Sequence, residues 1–103
     1  MKNMNDVLRQ AQQMQAKITL LRKELDTREL EVSAGGGMLK ITINGKQEIT
    51  KLVLEPSCFQ TENQDSLGDL IKVGINDAIK QSKEMVEKAM QKVTGGINVP
   101  GLF

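Results

Sequence analysis

The chain has no histidine, no tryptophan and no tyrosine, and only two phenylalanines and one cysteine in 103 residues. Each absence closes a class of function. Without His, no Ser–His or Cys–His pair can activate a nucleophile. A structural zinc site draws about four ligands from His, Cys and carboxylates, and this composition does not offer such a set. RNA-recognition sheets stack bases on aromatic side chains, which are missing here. No apolar run reaches the ~18 residues of a membrane span. The opening Met1-Lys2-Asn3-Met4-Asn5-Asp6 turns polar at once and lacks the apolar core of a secretory signal. One cysteine and no such signal fit a reducing cytoplasm. Neither a metal, a cofactor nor a membrane partner is expected.

Charge is nearly balanced, 14 basic against 13 acidic residues for a net +1, which argues against a strongly basic binder. Its distribution is uneven. Residues 1–23 carry five bases (Lys2, Arg9, Lys17, Arg22, Lys23) against Asp6 alone. A weaker excess of bases recurs over residues 72–92, and acidic stretches lie between.

The periodicity is that of two helices around a sheet. Met4, Val7, Ala11, Met14, Ile18, Leu21 and Leu25 alternate spacings of three and four, an unbroken heptad seam. A helix over about residues 3–27 is predicted, ~37 Å long at 1.5 Å per residue. A chain of this size cannot cover all of it, so part projects or meets another chain. Leu30–Ala34 and Leu39–Ile43 alternate apolar and polar residues, as does the start of Gln47–Leu54. Strands are predicted at about 29–34, 38–44 and 46–54, connected at Gly35-Gly36-Gly37 and at a tight Asn44-Gly45 hairpin, with Pro56 ending the last. The glycine triplet is no phosphate loop, because no Gly-Lys-Ser/Thr follows and the next segment is a strand. A second helix over about 65–94 is apolar nearly all round from Leu67 to Ile79, then narrows to a stripe at Ser82, Val86, Ala89 and Val93. Gly74 inside it reads as a point of close approach. Residues 95–103 read as an extended tail. The whole is one α+β domain, 1–103, of order α-β-β-β-α with a three-stranded antiparallel meander between two long helices.

The chain resembles the YbaB/EbfC nucleoid-associated DNA-binding proteins of bacteria. The resemblance is carried by Leu8–Gln15, by Ala34-Gly35-Gly36-Gly37-Met38-Leu39-Lys40-Ile41-Thr42-Ile43-Asn44-Gly45, by Glu55-Pro56-Ser57, by Asn76-Asp77-Ala78, and by Thr94-Gly95-Gly96 with Pro100-Gly101-Leu102. Their order and spacing along nearly the whole chain make it specific. It implies a homodimer whose helices project like tweezers from a shared core, and duplex DNA binding in the nucleoid.

The residues themselves suggest where. On the heptad, Lys2, Arg9 and Lys23 fall opposite the seam, with Lys17 and Arg22 on its flanks, a basic ridge able to neutralise phosphates without reading bases. In the second helix Lys80, Lys83, Lys88 and Lys92 are secondary candidates, offset by Lys83–Glu87 and Glu84–Lys88 pairs at i,i+4. The dimer interface is expected at Leu52, Leu54, Leu70, Ile71, Gly74, Ile75 and Ala78, where strand and helix are apolar beyond the needs of one core. No catalytic constellation is present, and Cys58 reads as a buried small residue. The alternative function is an adaptor for replication or recombination proteins, using the projecting helices and the apolar segment Ile97–Phe103.

Overall fold

A computed structural model describes residues 3–60 and 64–95. Helix α1 spans Met4–Thr27, and strands β1, β2 and β3 span Glu29–Ala34, Leu39–Asn44 and Ile49–Leu54. A short 3-10 turn at Pro56–Gln60 leads toward helix α2, Gln64–Thr94. The sheet is an antiparallel meander in the order β1-β2-β3, so the α-β-β-β-α order read from the sequence is the fold of the protein.

Local chemistry fixes the boundaries. The Asn3 side-chain oxygen accepts the Asp6 backbone N–H at 2.9 Å, capping α1, and Asp6 sits favourably in its first turn. Between β1 and β2, Gly35, Gly36 and Gly37 all have positive φ (62, 68 and 94°), a run that side-chain-bearing residues could hold only under strain. Gly95, at φ 67°, follows the last turn of α2. The remainder of the expected tail, residues 96–103, lies outside the described residues.

The second hairpin differs from the tight two-residue turn expected at Asn44-Gly45. β3 begins at Ile49, not 46. Asn44 closes a wider loop: its side-chain oxygen accepts the N–H groups of Lys46 (2.9 Å) and Glu48 (3.1 Å), and its own N–H donates to the Glu48 carbonyl (3.0 Å). The left-handed position falls on Gln47, at φ 60°. Gly45 is needed for space instead, since a Cβ there would overlap the Leu25 carbonyl oxygen.

Directly paired residues of antiparallel strands share a face. The register therefore puts Leu30, Val32 and Ala34 of β1, Leu39, Ile41 and Ile43 of β2, and Ile49, Leu52 and Leu54 of β3 on one side. The first half of α2 packs across this side over β1 and β2. Gly74 is the point of closest approach: a Cβ there would come 2.6 Å from a Leu39 methyl and 3.3 Å from Ala34 and Ile41. α2 does not reach across β3, whose first five residues are all exposed.

Beyond the sheet the second half of α2 runs antiparallel to α1. Val86 and Met90 meet Ile18 and Leu25, flanked by Leu21, Ala89 and Val93. The molecule thus divides into a body of sheet and helix and a two-helix arm, 71 × 20 × 17 Å overall. Ile18 and Leu25 are the only buried residues of α1. The other seam positions toward its N-terminus, Met4, Val7, Ala11 and Met14, are exposed.

Two glycine substitutions separate space from backbone strain. Gly45→Ala should cost about 3 kcal/mol, the top of the range for overpacking, because a helix carbonyl must move. Gly36→Ala meets nothing within 4 Å and should cost only ~1–2 kcal/mol, for its positive φ. Urea unfolding of both variants at one protein concentration measures the difference.

Candidate nucleic-acid interface

The basic candidates divide sharply once placed. Lys2 lies outside the described residues. Arg9, Lys17, Arg22 and Lys23 on α1 are all exposed, as are Lys80, Lys83, Lys88 and Lys92 on α2. Arg9 is not a free cation, however. Its guanidinium donates to the Asp6 carboxylate at 2.9 Å. An Asp–Arg pair at i,i+3 is a contact the sequence displays, and it leaves residues 3–14 with no net charge. The ridge read from the heptad is therefore electrically interrupted at its outer end.

Positive charge collects instead at mid-arm. Residues 15–23 of α1 hold Lys17, Arg22 and Lys23 with no acid, and residues 88–95 of α2 hold Lys88 and Lys92 with none. The Ile18–Leu25 and Val86–Met90 packing sets these two stretches side by side. The offsetting pairs expected on α2 do not form: neither Lys83–Glu87 nor Glu84–Lys88 comes within ion-pair distance among the described residues, whose ion pairs are Asp6–Arg9 and Glu24–Arg28. Exposed i,i+4 pairs are worth only about 0.3–0.5 kcal/mol, too little to immobilise two long side chains. Lys83 instead lines an open groove with Arg22, Gly45, Gln47, Val86 and Glu87. Exposed Lys46 stands at the same hairpin, between two groove residues. No sequence spacing could have shown that Arg22, Lys46 and Lys83 gather here, because three separate elements bring them. On the β1 side of α2, Lys80 and Lys88 share a shallower groove with Asp77, Glu84 and Leu30, so that side is electrically mixed.

The expected dimer residues also divide. Gly74 and Ala78 are buried inside the protomer against β1 and β2, which leaves them nothing to present to a second subunit. The apolar circumference of α2 is used first by its own sheet. Leu54, Leu70, Ile71 and Ile75 are half-buried, and Leu52 is 41% exposed. Ile49 and Val73, outside the expected interface set, are 38% and 60% exposed. Cys58 is buried, its thiol 3.5 Å from the Met38 carbonyl, among Met38, Ser66, Leu67 and Leu70. Among the described residues no three His, Cys, Asp or Glu side chains are grouped to hold a metal, and no helix is long and apolar enough to cross a membrane.

The described residues thus form a small α+β body carrying an exposed, cation-bearing two-helix arm. The chain belongs to the YbaB/EbfC DNA-binding family, whose model matches residues 1–97. It is 44% identical over 101 residues to a nucleoid-associated protein of Desulforamulus reducens, covering 98% of this chain and 96% of that one. A nucleoid-associated protein of Moorella thermoacetica is 45% identical, with 98% and 97% covered. The fold matches the crystal structure of an uncharacterized Helicobacter pylori protein at a TM-score of 0.74, over 92% of this chain and all of that one, at 17% identity.

The arrangement ranks the cations. Replacing Arg22 and Lys83 together by Glu should weaken duplex binding at least tenfold, while Arg9→Glu, whose charge Asp6 already offsets, should weaken it less than threefold. Fluorescence anisotropy on one labelled duplex, with thermal melts confirming both folds, tests this order.

Proposed function

We propose that this chain is an architectural protein of the bacterial nucleoid, binding duplex DNA as a homodimer through phosphate contacts with little base preference. The observation that carries the reading is the gathering of Lys17, Arg22, Lys23, Lys83, Lys88 and Lys92 along one two-helix arm. Lys and Arg neutralise phosphates and release counterions irrespective of sequence. The curated relatives are named nucleoid-associated proteins, which supports the nucleoid, within the cytoplasm, as the site of this activity. The reading is one of binding, not catalysis.

The dimer follows from what α2 leaves uncovered. Ile49 and Leu52 lie on the α2 side of the sheet yet are exposed, and Val73 of α2 is 60% exposed. Burying each such side chain fully is worth ~1.5–3 kcal/mol. A second copy, laying its α2 over β3 and receiving the same in return, satisfies both surfaces with one two-fold contact. Ile71, Ile75, Leu54 and Leu70 then line the seam around Leu52. Such a dimer carries two arms from one body, the tweezer-like arrangement.

Gel shifts on unrelated duplexes across a salt series test the function. Four to six phosphate contacts give a log–log slope of about −4 to −5, with micromolar affinity near physiological salt. A parent protein that shifts no duplex even at low salt replaces this reading with an adaptor for replication or recombination proteins. The dimer is tested separately. Its melting temperature should rise over a hundredfold increase in protein concentration, and Leu52→Asp should abolish that rise.

A further inference from the structure

On the outer end of α1, Met4, Val7, Leu8 and Ala11 succeed one another at spacings of three, one and three, a single face of a helix. All are exposed, Met4 by 71%, Val7 by 49% and Leu8 by 53%, and Met14 at the inner end of the same stripe by 38%. A contiguous apolar stripe of this kind marks a surface that something covers. We propose that residues 96–103 of the same chain, which lie outside the described residues, cover it: they continue past the end of α2 and lie along the stripe, Ile97 beside Ala11 and Val99 beside Val7.

The place where α2 stops selects this occupant. The hairpin sets Ser82 level with Leu25, since the Ser82 hydroxyl donates to the Asn44 carbonyl and the Gly45 N–H to the Leu25 carbonyl. From Ser82 to Thr94 is ~18 Å of helix at 1.5 Å per residue, and the same distance back along the antiparallel α1 reaches Gln13. α2 therefore ends where the cover over the seam ends. It also ends on the side that faces α1. Val86, Met90 and Thr94 recur at every fourth residue and are all buried, and Val86 and Met90 pack on Ile18 and Leu25 of α1. Gly95, at φ 67°, then takes the chain out of the helix.

Reach and chemistry fit the same occupant. The stripe runs ~15 Å from Met14 to Met4, and eight extended residues span ~26 Å. Gly95-Gly96 and Pro100-Gly101 oppose a continued helix. In an extended run Ile97 and Val99 fall on one face and Asn98 on the other. Residues 96–103 carry no charge, and neither do Asn3, Gln10 and Gln15, which flank the stripe, so closing the contact buries no ion. A few apolar side chains make far less than the ~1,200 Å² at which stable contacts between separate molecules begin. A segment joined to α2 by one or two residues needs no such area, because its effective concentration is of millimolar order. The contact prolongs the arm: the part of α1 beyond the reach of α2 is braced by the chain into which α2 continues. It does not rest on the DNA reading.

Cysteine pairs in a Cys58→Ser background test the contact. Under a mild oxidant, Val7→Cys with Val99→Cys should close a disulfide within one chain at least fivefold faster than Asn5→Cys with Val99→Cys, because exposed Asn5 stands off the stripe. Equal rates overturn the inference. So does a main product of doubled mass, since a second copy then covers the stripe. Labelling by a monofunctional maleimide gives an independent reading. Val7→Cys alone should label at least fivefold faster after deletion of residues 96–103, and also in a full-length chain carrying Ile97→Asp and Val99→Asp, whose thermal melt checks the fold. Asn5→Cys should label at one rate in all three backgrounds. Labelling of Val7→Cys that neither change accelerates overturns the inference, as does a rate that falls as protein concentration rises. Neither readout involves a duplex, so a parent protein that shifts no DNA overturns the DNA reading and leaves both tests of the contact decisive.

Discussion

The arrangement of the whole molecule depends on one small knot of hydrogen bonds at the β2–β3 hairpin. The Ser82 hydroxyl, wholly buried, donates to the Asn44 carbonyl at 2.6 Å and accepts from the Gln47 side-chain amide at 3.2 Å. That amide also donates to the Gly45 carbonyl, at 2.9 Å, and the Gly45 N–H donates to the Leu25 carbonyl at 3.1 Å. Two of these four bonds join the hairpin to α2, one joins it to the last turns of α1, and the fourth, from Gln47 to Gly45, braces the hairpin itself. A buried hydroxyl left without partners costs ~1–3 kcal/mol, so the polar groups here bond only when all three elements are in place. The knot sits where body becomes arm, and it fixes the line along which α1 leaves the sheet. Everything further out, the cation cluster and the exposed seam, inherits its position from this point.

That dependence explains how much was legible in the sequence. Helices and strands were, because each rests on a short-range signal: the three-and-four spacing from Met4 to Leu25, the alternation in Leu30–Ala34 and Leu39–Ile43, the three glycines of the first turn. Gly74 as a close approach was legible too, since an unforced glycine in a helix needs a packing reason. The second hairpin was less so. Asn44-Gly45 is a strong local signal for a two-residue turn, but the loop is shaped by what it docks against. Ser82, 38 residues away, holds the Asn44 carbonyl, and the left-handed position moves to Gln47. The site was legible as a list of cations and not as an arrangement. Arg22 and Lys83 share a groove only because the hairpin sets α1 beside α2. The α2 apolar circumference likewise promised more interface than remains, because its own sheet takes up Gly74 and Ala78.

Apolar surface is distributed in three grades, and the grading follows from geometry. The side chains between α2 and strands β1 and β2 are buried outright, with Leu39, Ile41, Ile43 and Ala78 at 0% exposure. One helix is about 10 Å across and strands lie ~4.8 Å apart, so α2 covers two strands and cannot cover a third. β3 is left half covered as a direct result of having three strands to one helix. The third grade, the outer seam of α1, arises because α1 outlasts the part of α2 that packs on it. Neither exposed surface is an accident of composition. Each is what a correct heptad or strand pattern leaves over when its neighbour runs out.

Charge is also distributed unevenly around these two leftover surfaces. The body interface proposed above lies where β3 and α2 leave Leu, Ile and Val side chains exposed or half-buried, with Lys51 and Lys72 exposed beside it. At mid-arm the bases stand free of ion pairs and face solvent, where attraction to a phosphate backbone acts over roughly a Debye length, ~8 Å at physiological ionic strength. Further out, the Asp6–Arg9 pair leaves residues 3–14 with no net charge. A net charge of only +1 hides this unevenness: Glu29 and Glu31 lie on the outer face of β1 and other acids along the body end of α2, while Glu84 and Glu87 stand among the lysines of the arm. On the reading proposed above, binding strength depends on how the cations are segregated along the arm more than on their excess over acids, a property that total composition does not display.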